Sequence, residues 1–396
     1  MNLNEILKNV RNSDFELLGE INDVEVHGLS YDSRLINSGD LFFCFKGEKK
    51  DSHDFAYDAI KGGASALVVE RKIDIEFPQV ISSSSRKMMS EIAEIFYEFP
   101  SREITMVGVT GTNGKTTTVN ILSAIAKAAG EKTETIGTLT GQLTTPEAPD
   151  LQRQIRDSIG NGVSFLAMEV SSHALLQNRI SRMTYDAAIF TNLSLDHLDY
   201  HGDMESYYKA KSLLFSPTHS ELAVINADNE FGKRLMNEVE IPQVSFSLND
   251  VDIVERTLIK TTFRWKGQII NLNLPGVFNL ENALAAAVTA EALGFNKEVI
   301  AKGLESAKGT PGRFELLTHG DGQPCVVVDF CHTPDGLEKI LLSINELLPG
   351  ARIHVVFGCG GDRDTSKRAQ MGMISETHAT NVYLTSDNPR YEDQMV

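Results

Sequence analysis

One stretch constrains the fold more than any other: Gly108-Val109-Thr110-Gly111-Thr112-Asn113-Gly114-Lys115-Thr116-Thr117. Residues 104–109 before it read as a strand, and residues 117–129 after it as an apolar-periodic helix. A glycine-rich turn between strand and helix lets backbone N–H groups close around phosphate oxygens, while the helix N-terminus adds partial positive charge. Lys115 would reach the β- and γ-phosphates, and the Thr116 hydroxyl would hold Mg²⁺. The spacing departs from the common Gly-x-x-x-x-Gly-Lys-Thr form, because Val109 stands where that form has its first glycine. The bland alternative is an ordinary tight turn that happens to contain Gly-Lys-Thr. The strand and helix on either side favour the phosphate loop.

The remaining pattern predicts an α/β protein. Residues 165–170 and 187–190 read as further strands and 278–293 as a long alanine-rich helix, so the centre alternates strand and helix as a mainly parallel sheet does. Before it, residues 39–45 and 66–69 read as strands, with helical spacing at 57–60 and 87–97. After it, strands are expected at 325–330, 353–357 and 382–384, and helices at 337–347 and 367–374. Those three strands and two helices form only part of a doubly wound sheet. Turn signals at Pro100-Ser101 and Gly309-Thr310-Pro311-Gly312 divide the chain into 1–100, 101–311 and 312–396.

Charge and cysteine content exclude other classes. The 396 residues carry a net charge of −17, which argues against nonspecific binding to nucleic acid or an anionic membrane surface. No run approaches a membrane span, and the N-terminus lacks a basic segment followed by an apolar one. Four cysteines without a Cys-x-x-Cys pair point away from a disulfide framework or zinc ribbon. The expectation is a soluble cytoplasmic protein.

Several residues carry chemistry whose meaning stays open on local pattern alone. Glu169 ends an apolar strand, where a carboxylate faces the ligand edge of a parallel sheet or merely solvent. His197 and His201 are four residues apart in Asp196-His197-Leu198-Asp199-Tyr200-His201-Gly202, so a helix would place them on one face for a metal, although surface histidines are common. Lys211 shares a helical face with Tyr207 and Leu214, and its plain reading is a snorkelling lysine.

In this order the pieces resemble the Mur ligase family of bacterial cell-wall synthesis. The resemblance is carried by the phosphate loop and by Thr144-Thr145-Pro146, Met168-Glu169-Val170-Ser171-Ser172-His173, Phe190-Thr191-Asn192-Leu193, Asp196 to Gly202 and Ala210-Lys211. It continues through Asn279-Leu280-Glu281-Asn282, Gly312-Arg313, His332-Thr333-Pro334-Asp335, Gly358-Cys359-Gly360-Gly361-Asp362-Arg363-Asp364 and Asp387-Asn388-Pro389-Arg390. It implies a three-domain architecture: a small α/β N-terminal domain that binds UDP, a central parallel-sheet domain like a P-loop ATPase, and a Rossmann-like C-terminal domain that binds an amino acid. It implies an ATP-dependent ligase that phosphorylates a carboxylate and lets an amine attack the acyl phosphate. The most similar members add meso-diaminopimelate to UDP-N-acetylmuramoyl-L-alanyl-D-glutamate.

The resemblance also assigns roles. Gly111, Thr112, Asn113, Gly114, Lys115, Thr116 and Thr117 would bind ATP, with Asn282, Arg313 and Asp329. Lys115, Glu169, His197 and Lys211 would be catalytic. Thr116, Glu169, His197 and Lys211, the last as N6-carboxylysine, would hold Mg²⁺. The UDP-muropeptide would meet Tyr31, Ser33, Thr144, Thr145, Ser171, Gln177 and Arg179, positions whose plain readings are turn capping and a solvated charge. Diaminopimelate would meet Arg363, Asp387, Asn388, Pro389 and Arg390. An arginine fork suits its distal carboxylate, which lysine lacks. The chain is expected to act as a monomer, with no nucleic-acid or membrane partner.

Relatives continue past this tetrapeptide to a Gly-Lys-Gly-His-Glu motif that contacts the amino acid, and this motif is absent here. The expectation is therefore a partial gene product with an incomplete third domain and exposed apolar sheet surface. Two other readings stay open: a ligase resembling folylpolyglutamate synthase, and a nucleotide-binding protein without full ligase activity.

Overall fold

The computed structural model describes residues 1–11, 14–47, 50–141, 143–318, 324–361 and 364–393. The side chain of residue 318 is also outside the description. The chain forms two compact units. The first holds Met1–Thr105, Gly141–Val163 and His173–Thr184; the second holds Met106–Thr140, Ser164–Ser172 and Tyr185–Val396.

The first unit is built on five strands, β1 (Phe15–Leu18), β2 (Gly28–Ser30), β3 (Asp40–Phe43), β4 (Ala66–Val69) and β5 (Gln79–Ser82), in the order β1-β5-β4-β3-β2. Only β1 runs antiparallel to its neighbour. β3 and β4 are buried along their whole length, as expected of central strands covered on both faces. Helix Ser85–Phe96 packs on one face, capped by the Ser84 side chain, which accepts from the Lys87 N–H.

That helix carries an unusual burden in Glu94. Its side chain is buried, neither carboxyl oxygen has a hydrogen-bond partner among the described residues, and Arg182 Nε lies 4.0 Å away. Burial pushes its pKa up to about 8, against the pull of Arg182, Arg102 and Arg11. The folded chain therefore keeps a proton that the unfolded chain loses near the ordinary value of 4.5. Stability contributed by this group is complete below that value and falls as pH rises through about 8. Glu94→Gln is expected to flatten this loss. Melting temperatures compared at about pH 5 and about pH 8.5 should converge in the variant relative to the parent; an unchanged difference would show that Glu94 is not its source.

The second unit contains a six-stranded sheet of β6 (Thr105–Thr110), β7 (Thr133–Ile136), β8 (Phe165–Glu169), β9 (Ala187–Phe190), β10 (Ala223–Asn226) and β11 (Gln243–Phe246). Its order is β11-β10-β9-β6-β8-β7. The pairs β10–β11, β9–β10, β6–β9 and β7–β8 are parallel. The chain steps to β8 and β7 on one side of β6 and to β9 on the other. The C-terminal end of β6 is thus a topological switch point, where open α/β sheets bind ligands. Helices Lys115–Ala128, Val277–Ala292 and Lys297–Ser306 share one apolar core with this sheet. The alanines at 283, 285, 286, 287 and 290 are all buried in it.

An antiparallel sheet of β12 (Asp252–Arg256), β13 (Thr261–Trp265) and β14 (Gln268–Leu272) also joins that core through Phe263, Trp265, Ile270 and Leu272. Beyond it, β15 (Glu315–Thr318) pairs antiparallel with β16 (Val326–Val328), and β17 (His354–Phe357) pairs parallel with β18 (Asn381–Leu384). Here the structure corrects the sequence reading. The strand expected at 325–330 does not join the other two in one sheet among the described residues. Its partner is β15, because strand pairing is a long-range choice that local alternation cannot register. The expected exposed apolar surface is present at Val326, Val328, Val356, Val382, Tyr383 and Leu384, the last 74% exposed.

Candidate active site

The glycine-rich turn lies between β6 and helix Lys115–Ala128, as the sequence requires. Gly114 has φ +89°, a left-handed conformation that disfavours other residues, and a Cβ there would collide with Asn282 Oδ1. The segment after β9 braces the loop. Thr112 N–H donates to Asn192 O at 2.9 Å, Asn113 N–H to Asn192 Oδ1 at 2.9 Å, and Thr191 Oγ1 to Asn113 O at 2.7 Å. The Thr112 hydroxyl accepts from Ser194 N–H. These bonds tie the loop to residues 191–194.

Two lysines meet on this loop. Lys115 Nζ donates to the carbonyls of Gly111 and Thr112 at 2.9 Å each. Lys211 Nζ, from helix Met204–Ser212, donates to the same Gly111 carbonyl at 2.8 Å and lies over the Tyr207 ring. Desolvation lowers the pKa of both. Glu169 and Asp196 oppose this for Lys115, whereas for Lys211 the charge of Lys115 adds to it and carries the value well below the ordinary one. An unpaired ammonium buried there would cost several kcal/mol. Neutral amine is the form this environment favours, so the structure replaces the snorkelling reading with a buried lysine 1% exposed.

At the end of β8, Glu169 accepts from the Thr116 hydroxyl at 3.0 Å and from Thr138 N–H at 2.9 Å. A threonine hydroxyl and a carboxylate, both hard oxygen donors, thus converge beside the loop. His197 has φ +54° and directs Nε2 to Asp196 Oδ2 at 3.2 Å. His201 instead sets Nε2 2.9 Å from Ser172 Oγ and stacks on Tyr207. Both rings pack against Tyr207, with centroids 6.1 and 4.7 Å from it, while their Nε2 atoms meet different partners. Among the described residues no cluster of three or more His, Cys, Asp or Glu is spaced to hold a metal alone.

The other expected ATP contacts divide. Thr117 is buried in the first turn of its helix. Asn282 lies against the loop and accepts from Thr118 Oγ1 at 3.4 Å. Asp329 accepts backbone N–H bonds from Phe314 and Cys331, both at 2.6 Å. Burial raises its pKa, and those two N–H bonds and Arg313 counter the rise. The Arg313 guanidinium lies over the Phe330 ring.

In the first unit, Arg179 joins several of the expected muropeptide contacts. It donates to Thr145 O at 2.6 Å and Gln177 Oε1 at 2.7 Å, and pairs with Glu147 at 3.1 Å. The Tyr31 hydroxyl donates to Asp150 at 2.5 Å; burial and that carboxylate raise its pKa. Ser33 begins the 3₁₀ turn Ser33–Leu35, Thr144 is half-buried one residue before Thr145, and Ser171 belongs to the second unit just after β8.

In the last segment, the Arg390 guanidinium donates to Gly361 O, and Arg390 N–H donates to Asn388 Oδ1. A Cβ on Gly361 would collide with Pro389 O, and one on Gly358 with Thr385 O, so these glycines allow the two loops to touch. Asp387 accepts from Asn388 N–H. Arg363 lies outside the described residues.

Comparison with known proteins decides what this arrangement is. The Mur ligase family, catalytic domain model matches residues 25–98, the Mur ligase middle domain 109–290, and the Mur ligase, glutamate ligase domain 312–395. The UDP-N-acetylmuramoyl-L-alanyl-D-glutamate–2,6-diaminopimelate ligase of Geobacillus kaustophilus is 41% identical over 394 residues, covering 93% of this chain and 80% of its own. The chain belongs to the Mur ligase family. The ligase of the same name from Listeria monocytogenes is 39% identical, covering 99% and 84%. A solved structure of a diaminopimelate ligase of this name aligns with TM-score 0.73 at 29% identity, over 99% of this chain and 84% of that one. The Mur ligase MurF of Thermotoga maritima, in complex with ADP, shares the fold with TM-score 0.68 at 21% identity, over 93% and 90%.

Tyr207 and Asp196 carried no assigned role in the sequence reading. The signal for Tyr207 was its place four residues before Lys211, one helical turn below it. Among the described residues no helix is long and apolar enough to cross a membrane.

Proposed function

We propose that this chain joins meso-diaminopimelate to the D-glutamate of UDP-N-acetylmuramoyl-L-alanyl-D-glutamate with hydrolysis of ATP to ADP and phosphate. The observation that carries the reading is the buried Lys211 amine on the Gly111 carbonyl of a phosphate loop, in a chain about 40% identical to ligases of that name. The γ-phosphoryl of ATP passes to a glutamate carboxylate oxygen, and ADP leaves. The amine nitrogen of diaminopimelate then attacks the carbonyl carbon. The C–N bond forms, phosphate departs with the carboxylate oxygen, and the amine releases a proton.

In this reading Lys115 leaves its carbonyls for the β- and γ-phosphates, and the braced backbone of residues 111–117 holds the phosphate oxygens. Thr116 and Glu169 would hold Mg²⁺, which would neutralise charge building on the transferring group. The depressed pKa of Lys211 suits carbamylation, because only a neutral amine adds carbon dioxide. The carbamate would face the same region as an anionic oxygen donor. His197, held by Asp196 at 3.2 Å, would be a donor to a second Mg²⁺. Asn282, Arg313 and Asp329 are assigned to ATP, and Tyr31, Ser33, Thr144, Thr145, Ser171, Gln177 and Arg179 to the muropeptide. The chain works as a cytoplasmic monomer with no nucleic-acid or membrane partner.

Amine choice is assigned to Asp387, Asn388, Pro389, Arg390 and Arg363. Arg390→Ala is expected to lower kcat/KM for meso-diaminopimelate by about 10²-fold, the loss of one bidentate charge-assisted contact, with KM for ATP nearly unchanged. Mass spectrometry of the UDP-linked product with meso-diaminopimelate or L-lysine tests the assignment. Equal use of both amines by the parent chain, or equal loss of ATP and amine affinity in the variant, would contradict it.

A further inference from the structure

Asp196 has no part in the scheme above, yet a lysine and two imidazoles converge on it. Its side chain is 5% exposed. His197 Nε2 and His332 Nε2 approach Oδ2 at 3.2 and 3.5 Å, and Lys367 Nζ approaches Oδ1 at 3.5 Å. Lys367 is itself buried, and Asp196 is its one ionic partner among the described residues. His197 belongs to the loop after β9. His332 stands just before helix Pro334–Leu347, and Lys367 lies in the first turn of helix Ser366–His378.

These two helices pack on each other through Leu337, Leu341 and Met371, and so form one small body. Asn113 of the phosphate loop touches the same body, donating to Asp335 Oδ2 at 3.1 Å. That bond is partly buried, whereas the Asp196–Lys367 pair is buried on both sides. Removing either member of the buried Asp196–Lys367 pair would leave the other's charge uncompensated.

We propose that Asp196 is a positioning residue whose carboxylate latches the glutamate-ligase segment to the phosphate-loop face through Lys367 and His332, while fixing the loop that carries His197. What the latched geometry serves rests on the ligase reading above.

The test is a double-mutant cycle of Asp196→Asn and Lys367→Met in the full chain, with His332→Gln alongside in case the Asp196 variant fails to fold. Hydrogen exchange of residues 366–378 is read without nucleotide, together with kcat and KM for ATP. Each single variant is expected to speed exchange about tenfold and lower kcat about tenfold, with the double variant no worse than either single. Lys367→Arg, which keeps the charge, should restore protection. Unchanged exchange in Lys367→Met, or effects that add in the double variant, would overturn the latch. Absence of turnover in the parent would remove the ligase reading and leave the exchange comparison to decide the latch.

Discussion

Replacing Lys211 by alanine is expected to lower ligation by about 10³-fold, the scale of losing a preorganised charge stabiliser in a water-poor site. The argument starts from burial. The amine is 1% exposed, held on the Gly111 carbonyl, and lies near a second lysine that pushes its pKa further down. A lysine kept only for stability would not be placed beside a like charge. The substitution removes one hydrogen bond and the stem above the Tyr207 ring, a loss of about 1–3 kcal/mol, so the fold is expected to survive. Circular dichroism and the melting temperature check that. The chemical corollary is that removing bicarbonate and carbon dioxide lowers parent activity, and that adding bicarbonate restores it. Full turnover in Lys211→Ala would remove the carbamate and metal assignments together.

Lys115→Met is expected to lower kcat by about 10²–10³-fold while leaving UDP-muropeptide affinity within about threefold. Lys115 sits on the loop carbonyls and has no ion-pair partner among the described residues; Glu169 and Asp196 pull on its charge from farther off. A triphosphate supplies the missing anion, so the lysine contributes when phosphate charge is present. The assigned muropeptide residues Tyr31, Thr145, Gln177 and Arg179 belong to the other unit and make their own network. Calorimetry with UDP-muropeptide in the absence of ATP separates the two effects. A muropeptide affinity that falls with kcat would contradict this division of labour.

What the sequence made legible was local. Strand, glycine-rich turn and helix around Lys115 follow from spacing and the conformational demands of Gly114. Glu169 could be placed at a strand end because apolar runs and parallel sheets go together. Asp196 shows the limit. Its partners lie at 197, 332 and 367, and no local period links residues 136 and 171 positions downstream. The histidine pair shows another. Four-residue spacing implies a shared helical face, but His197 precedes helix Leu198–His201 with a positive φ and turns toward Asp196. The three strands between 252 and 272 went unassigned because their outward faces are polar or mixed and their pairing partner is decided by the core they cover. The resemblance to a known family, and not periodicity, pointed to Lys211. Burial supplied the physical reason.

The measurement that tests the account most directly is phosphate release from ATP by the parent chain with UDP-N-acetylmuramoyl-L-alanyl-D-glutamate and meso-diaminopimelate, compared with omission of each substrate and with L-lysine as the amine. The account predicts release that requires both the muropeptide and diaminopimelate, and little with L-lysine. Release that proceeds at the same rate without the muropeptide, or no release while ATP is bound, would contradict it.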